Sequence, residues 1–142
     1  MSSNRVCRLA ALTLFAAAAA TGAAAVCPPV LATVETAQPV PAWNGTTVRA
    51  KHAFERISVY NGKAGGQEFE LAPDDQKQEG SRITQTWNLK GYRSMNVFLR
   101  CRYHDTAVVL FRDLAPDIAT CTLRFAIDGR GGITGKSEME CR

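Results

Sequence analysis

From Ala53 to the last residue, apolar and polar side chains alternate more often than they recur at helical spacing. Alternation over four to eight residues, bounded by Gly, Asn, Asp or Pro, marks strands with one buried face. The pattern predicts strands over residues 54–60, 68–71, 82–89, 96–103, 106–112, 119–127 and 133–141. Turn chemistry separates them at Asn61-Gly62, Ala72-Pro73-Asp74-Asp75, Lys90-Gly91, Ala115-Pro116-Asp117 and Asp128-Gly129-Arg130-Gly131-Gly132. Gly supplies positive φ at such breaks, and Pro fixes φ while removing a donor. Residues 30–43 carry Pro39 and Pro41 and read as an edge strand followed by an irregular crossing. The expected fold is all-β: a small antiparallel meander forming a sandwich or a partly open barrel.

A register can be set for the second half. If Tyr103 pairs with Thr106 across His104-Asp105, Cys101 faces Val108 and Leu99 faces Leu110. A turn centred between Ala115 and Pro116 then places Leu110 opposite Cys121 and Val108 opposite Leu123. All lie on one apolar face, continued by Val97, Phe125 and Ile127, and a slip of one residue would scatter it. The other face mixes Phe98, Val109 and Phe111 with Arg100, Arg102 and Arg124. Two Phe argue against full solvation and three Arg against full burial. Either the first half of the chain covers part of this face, or it is a contact surface.

Residues 1–25 stand apart from that pattern. Arg5 and Arg8 with no acid precede a weakly apolar run that ends Ala23-Ala24-Ala25. This is the build of a secretory signal peptide cleaved after Ala25. The abundance of Ala argues against a retained anchor, and the bulky Val26 argues against lipid attachment at Cys27. The remaining single β domain, residues 26–142, holds 15 basic and 13 acidic side chains, so its net charge is +2. That balance gives no electrostatic case for nucleic acid or an anionic membrane surface. After cleavage no membrane insertion is expected.

Cys7 goes with the leader, leaving Cys27, Cys101, Cys121 and Cys141. An even number in an exported chain reads as two disulfides. The register puts Cys101 and Cys121 on strands separated by a third, about 10 Å apart at 4.8 Å per strand, beyond bridging reach. A wide hairpin at 128–134 brings Cys141 opposite Cys121. The expected bridges are therefore Cys121–Cys141 and, by elimination, Cys27–Cys101.

Candidate chemistry is sparse. Cys101 and His104 would face opposite ways, and Cys101 is consumed by a bridge. His104 reads as a turn residue beside Asp105. No cysteine or histidine pair has zinc spacing, Asp74-Asp75 followed by Gln76-Lys77 lacks a calcium loop's alternating acids, and no phosphate-binding or nucleophile-elbow motif occurs. No cofactor or metal is implied. Trp87 reads as core, whereas Tyr92 in the Gly91 turn is a candidate anchor.

Val59-Tyr60-Asn61-Gly62, Leu71-Ala72-Pro73-Asp74, Trp87, Cys101-Arg102-Tyr103 and Cys121, in that order, resemble a family of uncharacterised small secreted bacterial proteins. That family carries a V-[FY]-[DN]-G turn, L-x-P-D, a lone Trp, a C-x-Y strand and a further Cys. The resemblance implies export and one domain, without an activity to carry over. The chain is more loosely similar to periplasmic lysozyme inhibitors, small exported antiparallel barrels with a Tyr-rich, Cys-containing strand. Ser58-Val59-Tyr60-Asn61-Gly62 holds the residue types of their inhibitory Ser-Gly…Tyr loop in a different order.

The leading expectation is a non-enzymatic binding module in the periplasm or outside the cell, an inhibitor of a cell-wall hydrolase such as lysozyme. Its partner is a protein, and its contact residues are Arg100, Arg102, Arg124 and Tyr92. The alternatives are a hydrolase acting through dispersed carboxylates such as Glu68, Glu70, Asp74 and Asp105, which requires a cleft with two facing acids, and a structural envelope component.

Overall fold

A computed structural model describes residues 27–142; the expected leader lies outside the described residues. Nine strands form two antiparallel sheets: β1 (Val30–Thr36), β2 (Thr47–Gly62), β3 (Glu68–Glu70), β4 (Asp75–Glu79), β5 (Arg82–Asn88), β6 (Val97–Tyr103), β7 (Leu110–Asp113), β8 (Thr120–Ile127) and β9 (Ile133–Cys141). Sheet one runs β1-β2-β6-β7, with β3 on the far end of β2; sheet two runs β4-β5-β8-β9. Among the described residues no helix is long and apolar enough to cross a membrane.

The core lies between the sheets, as alternation demands. Ile57, Val59, Val97 and Leu99 of sheet one meet Trp87, Cys121, Leu123 and Met139 of sheet two. The all-β expectation holds, and so does the expected pairing of cysteines. Cys27–Cys101 has its Cα atoms 5.9 Å apart, and Cys121–Cys141, a cross-strand pair of β8 and β9, 4.1 Å apart.

Three expectations are corrected. Cys101 pairs with Leu110 and Leu99 with Arg112, two residues further along than a two-residue turn would give. The hairpin carries a wider loop, in which Asp105 takes φ 56° and Thr106 Oγ1 accepts the Val108 amide at 3.1 Å. Second, β7 and β8 are not neighbours: β7 edges sheet one, while β8 sits between β5 and β9 in sheet two. Cys101 and Cys121 are thus separated by the sandwich itself and not by an intervening strand. Third, the chain after β1 turns back into β2 instead of crossing, forming a long hairpin arm bent at Val40 and Trp43. Trp43 at its end is 78% exposed. Buried His52 holds the arm down, its Nδ1 donating to the His104 carbonyl at 3.0 Å and its Nε2 lying 3.1 Å from Glu35 Oε1.

The motifs that carried the resemblance build the passage between sheets. At Gly62, φ is +107° and a Cβ would come within 2.3 Å of the Gln67 carbonyl oxygen, so only Gly closes the turn into β3. Leu71 then donates its amide to Val59 at 2.8 Å, while its carbonyl accepts the Trp87 indole N–H at 2.8 Å. Asp74 accepts the Asn88 amide at 2.6 Å, fixing the chain's entry into sheet two. These residues specify topology.

Candidate functional site

Strand alternation turns Ile57, Val59, Val97 and Leu99 inward, so their neighbours point to the outer face of sheet one. Pairing sets them in rows: Glu70, Tyr60, Phe98 and Asp113; then Ser58, Arg100 and Phe111; then Arg56 and Arg102. Phe98 has no exposed surface, although it faces away from the core. The Tyr60 ring stacks on it at 5.7 Å and Phe111 meets it edge-on at 6.1 Å. Phe111 itself is 56% exposed.

Charge fills the rest. The Arg100 guanidinium lies 5.0 Å from the Tyr60 ring centroid and is ion-paired with Glu68. Glu70 Oε2 accepts from Tyr60 at 2.9 Å and from Arg56 at 3.4 Å. Burial pushes the Glu70 carboxyl up. Hydrogen bonds from Ser58 and Tyr60 and the charges of Arg56 and Arg102 outweigh that, and hold it below its ordinary value. Burial, with the hydrogen bond to Glu70 and that residue's charge, raises the Tyr60 phenol against the pull of Arg100 and Arg56. The face is therefore largely ordered in advance of any partner: Glu70 and Glu68 fix Arg56 and Arg100, and one aromatic ring is offered to solvent.

Of the residues expected from sequence, Arg100 and Arg102 lie on this face. Arg124 lies on sheet two, 3.4 Å from Glu140, because β7 and β8 are in different sheets. Tyr92 sits half-buried in the short 3₁₀ turn Lys90–Tyr92, packed on the core. The sequence reading missed Tyr60 and Arg56 as members of the face and offered Glu68 and Glu70 as carboxylates of the alternative hydrolase, not as the partners that order it. Opposite charges at matching parity in residues 56–70 and 100–102 were the available signal.

A cleft of about 420 Å³ opens beside β2, its walls apolar at Ile57, Leu71, Trp87 and Phe125 and polar at Arg56 and Ser137. Its lining contains one acid, Glu70, so the facing pair required by a two-carboxylate hydrolase is not there. Asp74 is engaged with the Asn88 amide, and Asp105 occupies a left-handed turn position. Among the described residues no cluster of three or more His, Cys, Asp or Glu side chains is placed to hold a metal.

Residues 49–142 match the Type VI secretion system Tli immunity protein family. The chain belongs to that family. An uncharacterised 16.3 kDa protein of Azospirillum brasilense, encoded in the trpG 5′ region, is 30% identical over 99 residues, covering 66% of this chain and 66% of that protein. That alignment spans just under two thirds of the relative's length. No solved structure matches the chain. The family match takes in the whole of β3 to β9 and most of β2, and with them every row of the outer face and the cleft. β1 and the bend at Trp43 of this Tli protein lie outside it.

Proposed function

We propose that this Tli-family protein is an immunity protein that neutralises an incoming toxin by binding it in the periplasm. The contact surface is the outer face of sheet one, with Phe111, Arg102 and Arg100 at its centre. The observation that carries the reading is the order of that face: a fully buried Phe98 supports Tyr60 and Phe111, and acids pin Arg56 and Arg100. Aromatic and Arg side chains dominate binding energy at interfaces. Fixing them beforehand lowers the entropic cost of association.

The basic start, apolar run and small-residue end of residues 1–25 support export. Two disulfides fit an oxidising compartment. The free edge of Arg102 suits an acidic patch on the toxin. We place a cell-wall hydrolase first among toxin classes, on the likeness to lysozyme inhibitors, although Ser58 to Gly62 lie within β2 and not in a protruding loop. Arg124 and Tyr92 stand off this face and are assigned no contact.

The test is titration calorimetry of the oxidised protein against a panel of lysozymes and against Type VI toxins produced with a periplasmic leader. One toxin should bind one-to-one. Arg102→Glu combined with Phe111→Ala should weaken that complex by about a hundredfold, roughly 2.7 kcal/mol, while the variant remains folded at the assay temperature, its melting temperature lowered by only about 5 °C. Wild-type affinity in the double variant would overturn the assignment of this face.

A further inference from the structure

The edge of sheet one opposite β6 is interrupted. β1 pairs with β2 as far as Ala53, and β3 takes over at Tyr60. The flanking bonds are the Phe54 amide to the Pro29 carbonyl at 2.9 Å and the Leu71 amide to the Val59 carbonyl at 2.8 Å. Between these bonds β2 has no strand neighbour on that side among the described residues.

Main-chain groups alternate sides along a strand. Gly62 donates its amide to Asn96 on the β6 side, whereas Val59 turns its carbonyl toward Leu71 on the other. Two residues before Val59, Ile57 therefore directs its amide and carbonyl to the interrupted edge, where neither β1 nor β3 pairs with it. Ile57 is 5% exposed, and buried main-chain groups are nearly always paired. The same stretch borders the cleft of about 420 Å³. Two further polar atoms of the cleft's lining residues, Arg56 Nε and Ser137 Oγ, are buried without a partner.

We infer that this interruption is a strand-insertion site: an extended loop tip of a protein partner pairs with Ile57 and places one large apolar side chain in the cleft. Phe54 to Val59 span about 16 Å at 3.3 Å per residue, room for three or four guest residues. Pro29 and Leu71 occupy the flanks, so the guest enters and leaves as a loop and not as a long strand. Main-chain pairing gives affinity in such additions, and a pocket for an alternate side chain gives selectivity. The free Arg56 Nε and Ser137 Oγ are available to guest carbonyls. The inference rests on the immunity reading only in taking the guest to be a toxin loop.

Phage-displayed random dodecapeptides, selected on the oxidised protein, test the site. Enriched peptides are expected to share one large apolar residue among β-forming neighbours and to slow hydrogen exchange at the Ile57 amide. They should bind Ala72→Trp, whose indole fills the cleft mouth, at least about tenfold more weakly, and Ala72→Ser as wild type. Should Ala72→Trp melt below wild type, Ala72→Leu takes its place. No enrichment overturns the inference, as do peptides that ignore both blocking variants and leave Ile57 exchange unchanged. Concentration-dependent protection of Ile57 without peptide also overturns it, giving the edge to a second copy of the chain. A toxin that binds Ala72→Trp with full affinity overturns the toxin as guest. Absence of any toxin complex defeats the immunity reading, and the peptide result then decides the site by itself.

Discussion

Replacing Phe98 by Ala tests the unusual claim that a side chain on the solvent side of a sheet behaves as core. Phe98 has no exposed surface and stacks between Tyr60 at 5.7 Å and Phe111 at 6.1 Å. Truncating a buried Phe costs about 3–5 kcal/mol in transfer and cavity terms, of which each aromatic contact accounts for about 0.5–1.5 kcal/mol. For a domain of this size 1 kcal/mol moves the melting temperature by roughly 4 °C, so Phe98→Ala should melt roughly 12–20 °C lower. Phe111→Ala removes a ring already 56% exposed and should cost less than about 1 kcal/mol. The assay is urea unfolding followed by far-UV circular dichroism, with disulfides intact. A loss under about 1.5 kcal/mol for Phe98→Ala, or equal losses for the two variants, would refute the account of a supported aromatic platform.

Three more outcomes follow from the bridges and the charges. Removing Cys27–Cys101 by paired Ser substitutions should cost about 4.5 kcal/mol and removing Cys121–Cys141 about 3.3 kcal/mol, because the first spans 74 residues and the second 20; denaturant midpoints in the reverse order would contradict the loop-closure account. Glu70, whose carboxyl is held below its ordinary value, contributes stability that is complete above that value and is lost as pH falls through the depressed one. Glu70→Gln should therefore flatten the acid limb of a stability profile. Tyr60, raised by burial and Glu70, contributes stability that is present below pH 10.0 and lost as pH rises through its elevated value; Tyr60→Phe should remove that part of the alkaline limb.

Strand positions were legible because alternation reports which face of each segment is buried. Ile83, Trp87, Leu99, Cys121, Leu123 and Met139 all fall where parity puts them. Alternation is silent on whether two inward faces lie side by side or meet across a core, and so β7 and β8 were paired when they belong to opposite sheets. The same ambiguity carried Arg124 onto the wrong face, while Arg100 and Arg102, on one strand, stayed together. β4 was unreadable for a different reason: Asp75 to Glu79 are all exposed polar side chains, and the strand exists through main-chain pairing to β5. The bonds that order the outer face join residues ten to thirty-two positions apart, beyond any local pattern.

The strands of the two sheets interleave along the chain: β1 to β3 build one, β4 and β5 the other, β6 and β7 return to the first, and β8 and β9 finish the second. Neither central pairing, β2 with β6 or β5 with β8, joins consecutive strands. A nascent chain ending at β5 would thus hold two unfinished layers and no enclosed core. Folding must wait for distant partners, which places this domain among the slow, millisecond-to-second folders. While it waits, both inner faces are open to aggregation. Cys27 meets Cys101 only when β6 is in place, so the longer bridge records completion of the first sheet, and Cys121–Cys141 records completion of the second.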